Sequence, residues 1–306
     1  MLMRLAYWLI FGVVWLWSLL PMSVLHLQAR IAACLGYHVL KYRRSVVLDN
    51  LRQAFPDKTH REIEAIAKDF YLNLADVMVE IVKLMTISST ELKCRVKHLN
   101  PGVVDEMVSH GKGGIAVFGH FANWEWLGAG MGLQLPFSTV GVYKTQSSSV
   151  FDRLMYHIRT RHGNEMITME QTFRESLTRL NNPCYIAFLG DQTPARHSGM
   201  FFTSFLGRPA PVHLGIATIS LKLNVPVYYF DIRRKKRGFY EVSLHHIPHA
   251  DLLPISKESV YELTDRHVAY LETVIRDEPS DWLWSHRRWK HSPREGDVLS
   301  PRLGGK

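Results

Sequence analysis

Residues 114–126 read GIAVFGHFANWEW, and no other stretch constrains the architecture as strongly. Residues 114–120 form an apolar run that ends in a histidine, a pattern typical of strands buried on both faces of a parallel sheet. We expect a helix to begin near Ala122 or Asn123, directly after that strand. A buried strand that passes straight into a helix predicts the first half of a βαβ unit.

Strands and helices alternate around this unit. The segments predicted from their apolar periodicity are strands over residues 92–99, 138–144, 164–169 and 184–192, and helices over residues 149–162, 172–180, 213–224 and 259–279. Residues 225–234 and 238–247 are typical of a hairpin. This alternation predicts an α/β fold with a mixed, largely parallel sheet flanked by helices.

The chain divides into three predicted parts. Residues 1–28 are expected to form an N-terminal membrane-anchor helix, residues 29–292 the main domain, and residues 293–306 a loose tail. The main domain is expected to begin with a helical lead-in over residues 29–91. Its α/β core is then expected to cover residues 92–292.

The composition narrows the class of protein. Hydrophobic residues make up 46% of the 306 residues, which excludes a disordered chain. A mean hydropathy of −0.08 excludes a polytopic membrane protein. The formal charge is +9, from 37 basic and 28 acidic side chains. A basic, aromatic-rich chain predicts an anionic partner, which is either nucleic acid or an anionic membrane surface.

The three cysteines Cys34, Cys94 and Cys184 stand far apart in the sequence. Three thiols in a chain of this length cannot form a disulfide framework. None of them has the CxxC spacing of a zinc or redox motif. Unpaired thiols suit the reducing environment of the cytoplasm.

Residues 5–20, LAYWLIFGVVWLWSLL, carry no charge, and a weaker apolar stretch continues to Leu27. Sixteen helical residues cover about 24 Å, which is less than the hydrocarbon core of a bilayer. We therefore expect a membrane anchor that either spans once or lies within one leaflet. The alternatives are a buried core helix and a cleaved signal peptide; His26, Gln28 and Arg30 argue against cleavage.

Basic residues are unevenly distributed about the anchor. Only Arg4 precedes it, whereas Arg30, Lys41, Arg43 and Arg44 follow it. Basic residues collect on the cytoplasmic side of a membrane segment. This bias predicts that the body of the protein lies on the cytoplasmic side.

The candidate chemistry lies in the turn after the buried strand. His120 ends the strand, and Glu125 follows five positions later. Their side chains can meet only if His120 lies in the turn, because five residues along one helix place them about 140° apart. A carboxylate that holds one imidazole nitrogen makes the other a better general base. The alternative is a capped turn in which both residues are incidental.

Several motifs in order give the chain a family resemblance. It resembles the late acyltransferases of lipid A, the lauroyl and myristoyl transferases, within the glycerolipid acyltransferase superfamily. His120 and Glu125 match the H-x₄-D/E signature of that superfamily, and Glu80 falls where the family often has a glutamate. The other matching blocks are VVLDNLRQAFPD (46–57), RTRHG (159–163), FLGDQ (188–192), FFTSFLGRPAP (201–211) and DWLWSHRRWK (281–290). The similarity covers almost the whole chain.

The resemblance implies an enzyme of bacterial envelope glycolipid synthesis at the inner membrane. It implies transfer of a fatty acyl chain from a thioester of acyl carrier protein or coenzyme A to a hydroxyl of an anionic glycolipid, a lipid A precursor. His120, oriented by Glu125, would remove the hydroxyl proton. The base and the nucleophile are both supplied, so we expect no metal and no cofactor beyond the acyl thioester.

Five further residues are candidates for substrate binding. Arg159 is the main candidate for binding phosphate or the oxyanion, because the R-x-x-x-G spacing favours it over Arg161. Asp191 and Gln192 stand at a predicted strand end and are expected to shape the acceptor pocket. Asn123 lies within the catalytic signature.

Basic and aromatic residues cluster in two other places. Residues 233–237, RRKKR, lie in the predicted hairpin turn, where they form a solvated loop or contact anionic headgroups or an acidic carrier protein. Trp282, Trp284 and Trp289 interleave with basic residues. This second pattern suits base stacking, a membrane interface or, for the first two tryptophans, the core.

Two alternatives to lipid A acylation stay open. The first is an acyltransferase for another lipid, such as a lysophospholipid or an aminolipid. The second is a basic, membrane-attached binding protein without activity, for example one that binds nucleic acid. We favour the enzyme and expect no nucleic-acid partner, because much of the charge lies beside apolar or aromatic segments.

Overall fold

Ten strands form the framework of the computed structural model, which describes residues 2–109 and 111–304. In chain order, the strands are β1 (Val96–His98), β2 (Gly114–Phe118), β3 (Ser138–Tyr143), β4 (Glu165–Thr168), β5 (Cys184–Leu189), β6 (Phe201–Phe205), β7 (Arg208–Pro211), β8 (Val227–Lys236), β9 (Phe239–Ile247) and β10 (Val298–Leu299). The α-helices are α1 (Leu2–Ser18), α2 (Met22–Cys34), α3 (Arg44–Ala54), α4 (His60–Lys83), α5 (Ser89–Arg95), α6 (Pro101–Ser109), α7 (Trp124–Gln134), α8 (Ser149–Thr160), α9 (Thr172–Arg179), α10 (Gly215–Leu223) and α11 (Lys257–Asp277).

Seven strands form the central sheet, in the order β1-β9-β8-β2-β5-β3-β4. All neighbours in it are parallel except β8 and β9, which form the predicted antiparallel hairpin. Helices α7, α10 and α11 pack against its strands. The predicted fold class, an α/β fold with a largely parallel sheet flanked by helices, is confirmed. Strands β6, β7 and β10 form a separate small sheet.

Strand β2 lies at the centre of the large sheet, between β8 and β5, and all five of its residues are buried. Helix α7 begins at Trp124, six residues after the strand ends. The side chain of Asn123 caps the helix by accepting a hydrogen bond from the Trp126 amide at 2.9 Å. The predicted strand and the predicted helix start are therefore confirmed.

The first predicted strand, over residues 92–99, is shorter than expected. Helix α5 extends to Arg95, and only Val96–His98 pair with β9. The hydroxyl of Ser88 accepts a hydrogen bond from the Glu91 amide at 3.0 Å and so stabilises the start of α5. The first four residues of the predicted strand, 92–95, therefore belong to helix α5.

The N-terminal apolar segment forms two helices where we expected a single anchor helix over residues 1–28. The chain bends by 109° between the helical segments Arg4–Ser18 and Met22–Val39, the second of which includes α2. Pro21 occupies the N-cap of α2. Because proline has no amide proton, it cannot continue a helix from α1, whereas the missing donor is not needed at the start of a new helix. Among the described residues, no single helix is long and apolar enough to cross a membrane. The bent pair of α1 and α2 together has the length and apolar composition of a membrane-crossing segment.

Most apolar side chains of α1 face away from the domain. Tyr7 is buried, and its ring lies 4.2 Å from the guanidinium of Arg153 on α8. The large apolar side chains of α1 that remain exposed are Leu5, Trp8, Leu9, Ile10, Val13, Trp15, Leu16 and Trp17. Helix α1 therefore presents a wide apolar face while one side of it rests on the domain.

The basic run over residues 233–237 is largely taken up by internal ion pairs. Asp76 of α4 is buried, and Arg237 binds both of its carboxylate oxygens at 2.6 and 2.9 Å. Arg234 binds the same carboxylate at 3.2 Å, and Arg233 pairs with Asp231 at 2.6 Å. Arg237 also donates to the backbone oxygen of His26 in α2. For these arginines, an internal network replaces the solvated loop or headgroup contact that we expected.

The tail from residue 293 onwards is more ordered than predicted. Strand β10 pairs in parallel with β6, and the hydroxyl of Ser300 donates to Asp265 of α11. Arg302 forms an ion pair with Glu272, also on α11. These contacts hold the tail against the domain through residue 303, and residues 305 and 306 lie outside the described part of the chain.

Asp76→Asn tests the ion-pair network at the hairpin. The substitution keeps the size of the side chain but removes the charge that compensates Arg234 and Arg237. We expect the free energy of unfolding to fall by about 3 kcal/mol, the lower end of the range for breaking a buried ion pair, because Arg237 stays partly exposed. Urea denaturation followed by tryptophan fluorescence measures the change.

Asp69→Asn on the same helix is the matched control, because Asp69 is exposed. We expect that variant to change the free energy of unfolding by no more than about 0.5 kcal/mol. Equal stabilities of the two variants would contradict a structural role for the network.

Candidate active site

The candidate site lies where β2 and β5 end side by side. The two strands are parallel, with Phe118 opposite Leu189, and the amide of Gly190 extends the pairing by donating to the oxygen of Phe118 at 2.9 Å. The residues that follow the two strands therefore lie next to each other. His120 comes from the first strand end and Asp191 from the second.

His120 and Asp191 form a closely bonded pair. Nδ1 of His120 lies 2.7 Å from Oδ1 of Asp191, and the backbone amide of His120 donates to Oδ2 at 2.8 Å. Nε1 of Trp282 donates to the same Oδ2 at 2.9 Å. A carboxylate acceptor holds the imidazole proton on Nδ1, which leaves the lone pair of Nε2 free to accept a proton.

The carboxylate of Asp191 is almost completely buried. Burial alone would raise its pKa. The charge of His120 and the hydrogen bonds from His120 and Trp282 outweigh burial and hold the pKa well below its usual range. Asp191 is therefore ionised wherever the protein is folded near neutral pH.

Glu125 does not hold His120 in the way that the sequence predicted. Nε of Arg159 donates to Oε2 of Glu125 at 2.9 Å, and Nη2 of Arg159 donates to Oε1. The predicted contact is thus replaced by two pairs, His120 with Asp191 and Glu125 with Arg159. The physical reason is the strand order, which places Asp191 against His120, while the last turn of α8 places Arg159 against the first turn of α7.

The Glu125–Arg159 pair is partly shielded from water. The side chain of Glu125 is 7% exposed and that of Arg159 is 24% exposed. Burial tends to lower the pKa of Arg159, but the charge and hydrogen bonds of Glu125 raise it above its ordinary value. Arg159 is therefore charged, and it keeps donors that Glu125 does not use.

The turn that carries His120 is held by the C-terminal segment. The amide of Ala122 donates to the oxygen of Asp281 at 2.9 Å, and the amide of Leu283 donates to the oxygen of His120 at 3.1 Å. Phe121 and Trp282 form an antiparallel bridge between these bonds. Ala122 has a φ of 46°, a left-handed conformation that is unfavourable for alanine. The bonds on both sides of Phe121 hold the backbone of this turn in place.

Asn123, predicted to bind substrate, is fully buried beneath this turn. Its Nδ2 donates to Oε2 of Glu80 at 2.6 Å, while its Oδ1 caps α7. Glu80 also accepts a hydrogen bond from Tyr240 at 2.6 Å and contacts Nε2 of His26 at 2.9 Å. The structure therefore places Asn123 in a buried polar cluster that holds the start of α7 in place, not in the pocket.

The other predicted residues lie in two different environments. Arg161 donates to the backbone oxygens of Leu84 and Ile87 at 3.2 and 2.7 Å, in the loop after α4. Gln192 borders a pocket of about 430 Å³ that opens beside His120. Of the two candidate arginines, Arg159 lines this pocket and Arg161 joins neighbouring segments of the fold.

The pocket combines a polar and an apolar part. Its polar lining includes His120, Glu125, Lys144, Arg159, Gln192 and His213. Its apolar lining includes Met131, Met166, Met169, Phe173, Ile216 and Ile219. A site with a few convergent polar groups and a largely apolar wall is typical of a ligand pocket.

The pocket opens where β3 and β5 stop pairing. Their ladder ends at the pair Gly141–Ala187, and the residues that follow this pair within each strand line the pocket, among them Val142 and Phe188. Ligands of open α/β sheets bind beyond the carboxyl ends of the strands. The separation of two strands thus creates space next to the His120–Asp191 pair.

Three residues of the site were missed from the sequence. Trp282 belongs to the C-terminal aromatic segment and is buried, so the core interpretation of that tryptophan is confirmed, but its bond to Asp191 was not expected. Lys144 directly follows β3, and its place at a parallel strand end is a signal that was available. His213 follows β7; burial lowers its pKa, which favours the neutral imidazole.

No group of three or more histidine, cysteine, aspartate or glutamate side chains within the described residues is placed to hold a metal ion. The polar groups of the pocket instead form two ion pairs and present donors to its interior. Their arrangement suits acid–base chemistry on a ligand with an apolar tail.

Comparisons with known proteins find similar sequences over almost the whole chain. A sequence model of the bacterial lipid A biosynthesis acyltransferase family matches residues 1–291. The chain is 24% identical to a lipid A biosynthesis palmitoleoyltransferase of Escherichia coli strain K12 and to a lipid A biosynthesis acyltransferase of Shigella flexneri. In both cases the similarity covers 94% of this chain and 92% of the relative.

The substitution Asp191→Asn tests whether the charge of Asp191 stabilises the folded protein, through the pH dependence of the free energy of unfolding. The pKa of Asp191 is lower in the folded protein than in the unfolded chain, so its ionised form contributes stability that is fully present above about pH 5 and is lost as the pH falls towards 3 and below. We expect the free energy of unfolding of Asp191→Asn to depend less on pH over this range than that of the unmodified protein.

Chemical denaturation at a series of pH values measures this slope, with the exposed Asp69→Asn as control. Parallel pH profiles for Asp191→Asn and the unmodified protein would show that Asp191 is not held in its charged form by folding.

Proposed function

The chain belongs to the bacterial lipid A biosynthesis acyltransferase family and is an acyltransferase, and on this premise we propose that it acylates a hydroxyl of a lipid A precursor. The proposed donor is a fatty acyl thioester of acyl carrier protein or coenzyme A. The observation that carries the proposal is the His120–Asp191 pair at the polar end of a pocket with an apolar wall.

Nε2 of His120 is the proposed general base. With Nδ1 bonded to Asp191, Nε2 accepts the proton of the acceptor hydroxyl as its oxygen attacks the thioester carbonyl carbon. The new C–O bond forms, the C–S bond breaks, and the leaving thiolate takes the proton from the imidazolium. Asp191 is a positioning residue in this scheme, because it fixes the imidazole and stabilises its charged form.

Direct attack by the hydroxyl fits the lining of the pocket. No serine or cysteine is among the described residues that line it. A covalent acyl-enzyme on one of those side chains is therefore not part of the proposal. A single transfer step needs both substrates bound together, with the acceptor hydroxyl and the thioester carbonyl meeting at His120.

Arg159 is proposed to stabilise the negative charge that develops on the carbonyl oxygen. Glu125 holds the guanidinium through two of its five N–H groups, and the others can serve a substrate oxygen. Lys144 adds a second positive charge to the lining. In this scheme Glu125 acts through Arg159 and Asp191 acts through His120, so each of the two groups that meet substrate has its own fixed partner.

We further propose that the acyltransferase works at the inner membrane with its main domain on the cytoplasmic side. The exposed apolar face of α1 supports contact with a bilayer, and the basic residues after it favour the cytoplasmic side. Arg153 of α8 lies against Tyr7 of α1, which brings this membrane face close to the helix that carries Arg159. A membrane-embedded glycolipid would thus reach the site from the bilayer surface.

His120→Ala and Asp191→Asn test the proposed base. With a lipid A precursor and an acyl thioester, we expect His120→Ala to lower kcat by about 10²- to 10⁴-fold, the usual effect of removing a general base. Asp191→Asn should also lower kcat, because the imidazole loses the carboxylate that orients it. Thiol release and the mass of the lipid product measure the transfer.

His60→Ala, at an exposed histidine of α4, is the control and should transfer at the original rate. Undiminished transfer by His120→Ala would refute the mechanism. A product whose mass shows acylation of a lysophospholipid or aminolipid, but never of the lipid A precursor, would refute the proposed acceptor.

A double-mutant cycle tests the proposal that Glu125 and Arg159 act as a unit. We expect Glu125→Gln and Arg159→Lys each to lower kcat, since each breaks the geometry of the pair. The double variant should be little worse than either single variant, because groups that act together show strongly non-additive effects. Losses of kcat that multiply in the double variant would show that the two residues act independently.

A further inference from the structure

Helix α7 carries three glycines, at positions 128, 130 and 132, within eleven residues. Glycine destabilises the interior of a helix relative to alanine, because it loses more backbone freedom on folding. Three of them in one short, buried helix therefore need a structural or functional reason. That reason differs among the three positions.

Two of the glycines are explained by close packing. A Cβ at Gly132 would lie 2.5 Å from Oδ1 of Asn164, which is too close for any real side chain. A Cβ at Gly130 would lie 3.3 Å from Cγ1 of Val96, a tight contact. These positions need glycine so that neighbouring segments can approach the helix.

Packing does not explain Gly128. A Cβ built there meets no atom within 4 Å, so the protein itself leaves the space open. Gly128 lines the pocket, and its backbone oxygen is fixed by a hydrogen bond from Nδ2 of Asn164 at 2.9 Å. An open position in the wall of a pocket is space that a ligand can use.

The position of Gly128 along α7 relates this space to the reaction. Residues three apart lie on the same face of a helix, so Gly128 follows Glu125 about 4.5 Å further along the axis. Met131 lies a further three residues along α7 and also lines the pocket. Gly128 therefore stands between the charged end of the pocket and part of its apolar lining.

We propose that Gly128 determines acyl-chain specificity by keeping this passage open. The inference rests on the proposed function, in which the thioester lies at His120 and its chain runs into the apolar part of the pocket. A side chain at position 128 would project into the passage just beyond the reacting carbonyl. Short chains would end before it, whereas long chains would have to pass it to reach Met131.

Gly128→Ala and Gly128→Leu test the proposal in the full chain. The donors are straight-chain thioesters from butanoyl to hexadecanoyl, each offered on coenzyme A and on acyl carrier protein, with a lipid A precursor as acceptor. We expect Gly128→Leu to lower the ratio of kcat/KM for the longest accepted chain over the shortest by at least about tenfold, as expected for blocked methylene sites. Gly128→Ala should shift the ratio in the same direction by less.

Gly102→Leu is the matched control. Gly102 also lies in a helix, a Cβ there also meets no atom within 4 Å, and it is exposed outside the pocket. We expect this variant to leave the chain-length ratio unchanged. Both position-128 variants should keep or raise the Tm, because they remove a glycine from a helix interior.

The outcomes separate this inference from the proposed function. If the unmodified protein transfers acyl chains but Gly128→Leu lowers kcat/KM equally for all lengths, or leaves the ratio unchanged, the role of Gly128 is refuted while the function stands. If the unmodified protein transfers no chain from any of these donors, the proposed function fails and the inference fails with it. A shift towards short chains in a variant with undiminished Tm supports both.

Discussion

Asp191 carries a buried negative charge at the point where three distant segments of the chain meet. His120 binds it from the turn after β2, Trp282 binds it from the C-terminal segment, and the residue itself follows β5. A buried carboxylate is unfavourable unless hydrogen bonds and charge compensate it. That requirement forces the three segments into one arrangement, and this arrangement positions the imidazole beside the pocket.

The N-terminal helices reinforce the same arrangement from the other side. Nδ2 of Asn50 in α3 donates to the backbone oxygens of Trp284 and His286 at 2.9 Å each. Asn73 in α4 donates to Oδ1 of Asp281, whose backbone oxygen in turn binds the turn after β2. The helical lead-in therefore supports the segment that holds the catalytic turn. Separating the lead-in from the α/β core would remove the supports of the site.

Local patterns predicted the local parts of the structure. The strand before His120 and the helix after Asn123 follow from an apolar run and its end, both of which can be read within about ten residues. The contact between His120 and Asp191 depends on β5 lying next to β2, although 71 positions separate the two residues. Periodicity carries no information about strand order, so Glu125, the nearer carboxylate in the sequence, was preferred.

The remaining errors have the same physical origin. The run at residues 233–237 resembles a solvated charge cluster until Asp76, more than 150 positions earlier, neutralises it. The N-terminal segment was treated as one helix because its apolar length outweighed the helix-breaking effect of Pro21. In both cases a pattern was interpreted without the partner, or the backbone constraint, that decides its structure.

Helix α7 joins the two halves of the proposed chemistry in one rigid element. Its first turn holds Glu125 against Arg159, its cap is fixed by Asn123 on the buried Glu80, and its glycine-bearing face borders the pocket. In the proposed mechanism, the thioester carbonyl is held at the first turn of α7 and the acyl chain lies along the same helix. The distance between the carbonyl and each position of the acyl chain is therefore fixed by α7. Precise sites are built on helices and strands because such elements do not shift when a ligand binds. Because the same helix fixes the charged pair and borders the pocket, a change in its backbone position would alter the geometry of the reaction and the choice of chain together.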